Sequence, residues 1–406
     1  MHAQRQELHN ELHARPSIYF SEPAHVYHLT LLEEGSTLER IIQRLEPSTP
    51  ASRLQGLADL QGGRLKWERH TEFLCLTLVV PRVASDDVWP PLPAPLHALI
   101  DGSEHLVIEC SQILVESQEG WAGSTAAYGF KDAAASRIGA GDATVWSDFR
   151  LCDNGANRIL LVNHALNAYR LGRMVRRLLE IETYRMMASL GLPQAKEVAS
   201  QLKEFERELT RLSDENASAT GSDARQILKS ISQLSARLVR CTARARQRFS
   251  ATEAYAQLVF ERIAELREAH VQGCQRLGIF IERRFKPGVR YCSATQQRLE
   301  HLSVSVANLG ELLQARVQVE VEEQNSSILQ SLNARATTQI KIQKAVEGLS
   351  IIAISYYLLS LFKLVYEGLH QLGIGLTPRE ASIYLAPLVA ITLGAIAYRI
   401  RCTQKE

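Results

Sequence analysis

Two apolar segments in the C-terminal part of this 406-residue chain constrain its fold more than any other feature. The first, residues 345–366, carries Glu347 near its start and Lys363 near its end, and the second, residues 381–398, carries no charge. Each is about as long as a helix must be to cross a hydrocarbon layer of ~30 Å at ~1.5 Å per residue. The alternative is a pair of buried core helices, but two such segments joined by a short polar loop favour a transmembrane hairpin.

Lysine and arginine residues beside the two segments indicate their orientation, because positively charged flanks stay in the cytoplasm. Basic residues stand before the first segment and after the second: Arg335, Lys341, Lys344, Arg399, Arg401 and Lys405. The connecting loop offers Arg379 beside Glu367 and Glu380. The sequence therefore predicts a multi-pass membrane protein, with both termini in the cytoplasm and the lipid bilayer as a partner.

The rest of the chain divides into two regions of different periodicity. Residues 1–165 are expected to form a mixed α/β domain, and residues 166–344 a helical or coiled-coil stalk. In the first region, strands are predicted at residues 25–32, 64–80, 105–116, 143–152 and 158–162, and helices at residues 37–45 and 95–100. With the hairpin at residues 345–401, the expected class is α+β, built from a mixed α/β head, a long helical stalk and a two-helix membrane anchor.

The stalk is expected to be helical throughout. Its predicted helices cover residues 166–190, 194–212, 224–245 and 252–284, and a last one begins near Ser293. No proline stands between Pro287 and Pro378, and apolar residues recur there at three-four spacing, so this last helix should run into the membrane. A single helix of that length needs partners. They come from the chain's other helices or from neighbouring subunits in a homo-oligomer joined through this helix and the membrane helices.

Composition and motifs exclude several classes of function. The net charge of +2 provides no basic field for binding nucleic acid. The seven cysteines are scattered without a Cys-x-x-Cys pair, which favours a reducing compartment over a disulfide framework or zinc ribbon. The sequence also contains no P-loop, no Gly-x-Gly-x-x-Gly and no Gly-x-Ser-x-Gly motif. His9 and His13 are four residues apart, as in a zinc protease, but Glu11 stands two residues after the first His instead of directly after it and so points away from their face. Neither a metal nor a cofactor is therefore predicted.

Two polar motifs are candidates for a functional site. Residues 11–16 contain Glu11, His13 and Arg15, and residues 66–73 contain Glu68, Arg69, His70 and Glu72. On one strand, Glu68, His70 and Glu72 share a face. Such a face on an interior strand needs a countercharge, and Arg15 is predicted to supply it. The alternatives are a solvated charged face, a pocket or metal site with His70 and Glu72, and a buried ion network with Arg69.

A third candidate is structural and lies on the helix predicted at residues 166–190. Glu182 falls on the same stripe as the apolar residues of this helix, so its carboxylate needs a partner. Arg185 stands one turn further on and is within reach on the helix surface. The spacing therefore predicts a structural ion pair between Glu182 and Arg185.

Four segments in a fixed order carry a family resemblance. They are Glu11-Leu-His-Ala-Arg-Pro16, Trp67-Glu-Arg-His-Thr-Glu-Phe73, Leu178-Leu-Glu-Ile-Glu-Thr-Tyr-Arg-Met-Met187 and Val346-Glu-Gly-Leu-Ser-Ile-Ile-Ala-Ile-Ser-Tyr-Tyr357. Together they resemble a bacterial membrane-anchored family, domain of unknown function 3422, over essentially the whole chain. One departure is the segment Gln314-Ala315-Arg316-Val317, where the resemblance leads us to expect a Thr before the Arg. The resemblance implies the bacterial inner membrane and no particular activity.

These observations leave three hypotheses. The leading one is a non-enzymatic, membrane-anchored protein that faces the cytoplasm and acts as a scaffold or sensor. The second is an oligomeric ion channel or transporter, since the plan resembles the two-transmembrane magnesium channels, although Gly-Met-Asn is missing at residues 366–370. The third is an enzyme with a pocket formed by His13, Arg15, His70 and Glu72. A channel requires a polar pore in a symmetric oligomer, and an enzyme requires that these four side chains converge.

Overall fold

The computed structural model describes residues 2, 5, 18–46, 53–60, 62–83, 87–218, 221–373 and 377–403. The chain forms two compact units, Met1–Leu312 and Leu313–Glu406. Within the first unit, helical residues beyond 165 share one apolar core with the strands. The expected division at residue 165 therefore runs through this unit.

The strands are β1 (Ala24–Leu32), β2 (Gln55–Leu60), β3 (Gly63–Arg69), β4 (Phe73–Pro81), β5 (Val107–Ser117), β6 (Ala134–Ile138), β7 (Ala143–Ser147), β8 (Asn157–Asn163) and β9 (Ala269–His270). The helices are α1 (Thr37–Leu45), α2 (Ala94–Ile100), α3 (Ala168–Ser189), α4 (Gly191–Ser218), α5 (Gly221–Glu265), α6 (Leu277–Gln371) and α7 (Pro378–Thr403). Within the described residues these strands form one sheet in the order β2-β3-β4-β1-β5-β8-β7-β6-β9. Strands β5 and β8 run parallel, and the other paired strands run antiparallel.

Both faces of the sheet carry apolar side chains because successive residues of a strand point to opposite sides. On β1, Tyr27, Leu29 and Leu31 belong to a core that includes residues of α1 and α2. Val26 and Ala24 point the other way, into a larger core with α3, the second half of α5 and the start of α6. The α+β class, with an N-terminal mixed sheet and a long C-terminal helix, is confirmed.

The strand predicted at residues 64–80 is wrong in one respect, because it is two strands. β3 ends at Arg69, the chain turns through residues 70–72, and β4 returns antiparallel so that Arg64 pairs with Val79. The turn contains no Gly, Pro, Asn or Asp, the residues that usually mark a reversal in a sequence. His70 and Glu72 consequently lie in a turn, and the strand face that they were expected to share with Glu68 does not extend to them.

The helix predicted at residues 252–284 is also interrupted. α5 ends at Glu265, and β9 then pairs with the edge strand β6 before α6 begins at Leu277. The helix expected to begin near Ser293 therefore begins earlier and includes Pro287. Tertiary pairing explains the interruption, because β9 is two residues long and has no sequence pattern of its own. Strands β2 and β6 were not predicted either, because their sequences lack a clear strand pattern.

The second unit contains the rest of α6 and helix α7. α6 continues as helix to Gln371, which confirms the expectation of an unbroken helix between residues 313 and 345. Among the described residues, α6 is the one helix long and apolar enough to cross a membrane, and no residue of its apolar segment is buried. α7 contains Pro387 within its length.

Candidate functional site

Polar side chains cross the sheet on the face that α3 covers. Lys66 of β3 pairs with Thr77 of β4, and Thr77 pairs with His28 of β1. His28 pairs in turn with Ser111 of β5, and Ser111 pairs with Asn157 of β8. A row of polar residues therefore passes over five adjacent strands.

A second row lies one step along the same strands. Glu68 pairs with Cys75, Cys75 pairs with Thr30, and Thr30 pairs with Glu109. Residues two apart on a strand share a face, so both rows point to the same side of the sheet. We call these residues the polar stripe: His28, Thr30, Lys66, Glu68, Cys75, Thr77, Glu109, Ser111 and Asn157.

The centre of the polar stripe is hydrogen-bonded and uncharged. His28 Nδ1 lies 2.8 Å from the Thr77 hydroxyl, and His28 Nε2 lies 2.9 Å from the hydroxyl of Thr183 on α3. Thr30 and Thr183 are 3.2 Å apart through their hydroxyl oxygens. Burial lowers the pKa of His28 to about 3, and the nearby Lys66 adds to this effect. His28 is therefore neutral at physiological pH.

Glu109 is a buried carboxyl group next to this centre. Ser111 donates a hydrogen bond to its Oε1, and Thr30 donates one to its Oε2 at 3.4 Å. Burial raises the pKa of Glu109 to about 8, so the group holds its proton at neutral pH. His28 Nε2 lies 3.7 Å from Glu109 Oε2, but this contact is not an ion pair because both groups are neutral.

A charged residue, Glu182, contacts the polar stripe at its β8 end. Glu182 of α3 accepts a hydrogen bond from Asn157 Nδ2 at 3.0 Å and one from Arg185 Nη2 at 2.6 Å. The Glu182 side chain is 2% exposed, whereas that of Arg185 is 29% exposed. The two residues form the ion pair that their helical spacing had suggested. The carboxylate of this ion pair is therefore buried, whereas its cation is partly exposed to solvent.

Four charged side chains occupy the opposite end, at β3. Lys66 Nζ lies 2.8 Å from Glu68 Oε1, and Arg176 Nε donates to Glu180 Oε1 at 2.7 Å. We call these four residues the charged quartet. Burial lowers the pKa of Lys66, and Glu68 opposes the shift. Burial alone would raise the pKa of Glu180, but Arg176 and Arg262 hold it below its ordinary value.

A small cavity lies between the sheet and α3, and the charged quartet forms part of its lining. Its volume, measured as the space that the centre of a water-sized sphere can occupy, is about 50 Å³. Its walls include His28, Thr183 and the apolar side chains of Ile18 and Leu179. Gly172 allows one wall to form. A Cβ at this position would lie 2.2 Å from the carbonyl oxygen of Ile18, so only glycine lets α3 approach that segment. The cavity is therefore a built feature of the packing.

The residues predicted from sequence are only partly brought together here. Glu68 and His70 line the cavity, whereas Arg69 and Glu72 are not among its lining residues. Glu11, His13 and Arg15 lie outside the described residues. His70 stacks on Phe73, with ring centroids 4.2 Å apart.

Among the described residues, Glu68 and Glu72 have cationic or hydrogen-bonding partners; the contact predicted for Arg15 lies outside the described residues. Lys66 pairs with Glu68, while Arg248 and Tyr255 of α5 both donate hydrogen bonds to Glu72. Arg69 points elsewhere and makes ion pairs with Glu33 and Glu39, at 3.6 Å and 3.3 Å. Within the part of the chain that the structure describes, no group of three or more His, Cys, Asp or Glu side chains is placed to hold a metal ion.

Sequence reasoning missed most of the polar stripe. His28 and Glu109 are ionisable residues on β1 and β5, two strands in which most side chains are buried. Such residues are a usable signal, because a polar group in a buried strand must find a partner. Arg176 and Glu180 were missed because their i,i+4 spacing is also typical of an exposed helix face.

The geometry can be set beside known proteins. No curated protein and no solved structure matches the chain. One family model matches residues 1–404 and is described as a protein of unknown function, DUF3422. Because the match covers nearly the whole sequence, this chain belongs to the DUF3422 family.

Proposed function

We propose that this chain is a membrane-anchored sensor, held in the bacterial inner membrane by a hairpin of α6 and α7. Its N-terminal unit faces the cytoplasm and binds a small polar solute. The observation that carries the proposal is the cavity beside α3, into which a sheet and a helix direct four charged side chains. A protein that serves only as a scaffold has no need to place four charged side chains around a cavity, because removing charges from water is costly even when they are paired.

Sequence and structure support the membrane anchor independently. No residue of the apolar segment of α6 is buried, and an apolar surface of that kind is typical of a segment that contacts lipid or another protein. α7 follows after a short connection and contains the second apolar segment. The basic residues at the outer ends of the two segments support a cytoplasmic location for both termini.

Reporter fusions test the orientation. A reporter fused after Glu406 should be active on the cytoplasmic side, and one inserted at Gly373 should be active on the periplasmic side. A fusion after Ser218, between α4 and α5, serves as the cytoplasmic control. Activity of the Glu406 and Gly373 fusions on the same side would eliminate the hairpin.

We further propose that α6 brings copies of the chain together. Large apolar side chains remain exposed on this helix after residue 313, among them Val319, Ile328, Leu329 and Leu332. Native mass spectrometry of the chain released from detergent should show a homo-oligomer. A single-chain mass at every detergent concentration would contradict it.

Solute binding tests the sensor itself. In the full chain reconstituted in lipid nanodiscs, at least one class of small polar solute should raise the melting temperature, because a ligand of the folded state stabilises it. The shift should disappear in Arg176→Met, which removes a wall residue of the cavity. Arg173→Met is the matched control, since Arg173 is exposed on the same helix. If no solute class shifts the melting temperature, the chain is not a sensor of this kind, whatever its topology.

A further inference from the structure

We infer that the ligand of this cavity is a small zwitterion the size of glycine or alanine. Its ammonium group would contact Glu68 or Glu180, and its carboxylate would contact Lys66 and Arg176. This inference rests on the proposed function and names the class of solute that the sensor binds.

Charge balance points to a zwitterion. The charged quartet has two cations and two anions, and each is already paired within it. Arg262 also bonds to Glu180, but Glu265 balances it, with Arg262 Nη1 donating to Glu265 Oε1 at 2.8 Å. A ligand with a net charge would therefore leave one charge without a partner in a poorly solvated site. A zwitterion brings one charge of each sign and keeps the site neutral.

The size of the cavity limits the ligand. One water molecule needs roughly 10–15 Å³ of space measured at the centre of a probe sphere. The 50 Å³ of the cavity therefore holds only a few water molecules. A ligand that displaces them has about as many heavy atoms as glycine or alanine. Val175 and Leu179 of the apolar wall can accept one methyl group, but a leucine side chain exceeds the space.

Exposure indicates where the ligand enters. The side chains of Glu68 and Arg176 are 19% and 29% exposed, whereas Lys66 is 4% exposed. Glu180 is 16% exposed, so Arg176 and both anions lie nearer the mouth, and Lys66 lies at the floor. An amino acid would enter with its carboxylate leading toward Lys66 and its ammonium group left near Glu68.

A series of related solutes tests the inference on the wild-type full chain in nanodiscs. Isothermal titration calorimetry should detect binding of glycine and L-alanine. Acetate and methylammonium each lack one of the two charges and should bind at least about tenfold more weakly, a difference of about 1.4 kcal/mol. L-Leucine should not bind. Because the series needs no substitution, its outcome does not depend on how a variant folds.

Two substitutions should switch the preference rather than simply abolish binding. Glu68→Gln leaves the charged quartet with one excess cation, so this variant should lose glycine and gain acetate. Arg176→Met leaves one excess anion, so it should lose glycine and gain methylammonium. Arg173→Met should bind glycine as the wild type does.

The outcomes separate this inference from the proposed function. If acetate or methylammonium binds the wild type as tightly as glycine does, the zwitterion inference fails but the cavity remains a sensor site. If another solute class binds and Arg176→Met removes that binding, the zwitterion inference likewise fails and the cavity remains a sensor site. If no solute binds, both proposals for the cavity fail. The reporter result decides the membrane anchor separately in every case.

Discussion

Arg185→Met should lower the free energy of unfolding by about 3–5 kcal/mol, because it leaves a buried carboxylate without its cation. Glu182 is 2% exposed, and Arg185 bonds to both of its oxygens, at 2.6 Å and 3.3 Å. Asn157 remains as a hydrogen-bond donor but carries no charge. Urea unfolding of the full chain in detergent, followed by tryptophan fluorescence, measures the loss.

A double substitution separates the ion pair from other effects of the side chain. Glu182→Gln combined with Arg185→Met removes both charges and should recover most of the stability that the single change loses. The control is Arg173→Met on the exposed side of the same helix, where an effect within about 0.5 kcal/mol is expected. If Arg185→Met behaves like this control, Glu182 does not depend on Arg185 and the buried charge is compensated in another way.

Glu109→Gln should remove a decline in stability that the wild type shows between about pH 5 and pH 8. The pKa of Glu109 is about 8 in the folded chain, against an ordinary value of 4.5. Between these two values the folded protein keeps a proton that the unfolded chain has released. Stability therefore falls as the pH rises through this window and levels off above it. Below pH 4.5 both states are protonated, and the contribution of Glu109 is fully present.

The size of this effect follows from the separation of the two pKa values. One unit corresponds to about 1.4 kcal/mol, so the whole decline amounts to a few kcal/mol. Thermal unfolding across the pH range, compared between wild type and Glu109→Gln, isolates the contribution of this one group. Glu253→Gln is the control because Glu253 is exposed on α5. Parallel pH profiles for wild type and Glu109→Gln would show that Glu109 is ionised in the folded protein.

The sequence alone determined the features that depend on local pattern. The helix predicted at residues 37–45 is confirmed as α1, and the apolar spacing of Leu299, Leu302, Val306 and Leu309 corresponds to buried side chains on α6. Glu182 and Arg185 were recognisable because helical geometry alone brings residues three apart together. The family membership was visible for a similar reason, since short motifs in a fixed order need no tertiary information.

Only the tertiary structure decided the polar stripe. Its members come from five strands that are far apart in the sequence, and their alignment depends on the register of each strand pair. A slip of one residue would turn every side chain of a strand to the opposite face, and no local pattern specifies that register across crossover connections. The same limit explains why Glu72 was expected on a strand face, whereas it lies in the turn between β3 and β4. Its countercharge, Arg248, comes from a helix that the chain forms much later, and packing alone brings them together.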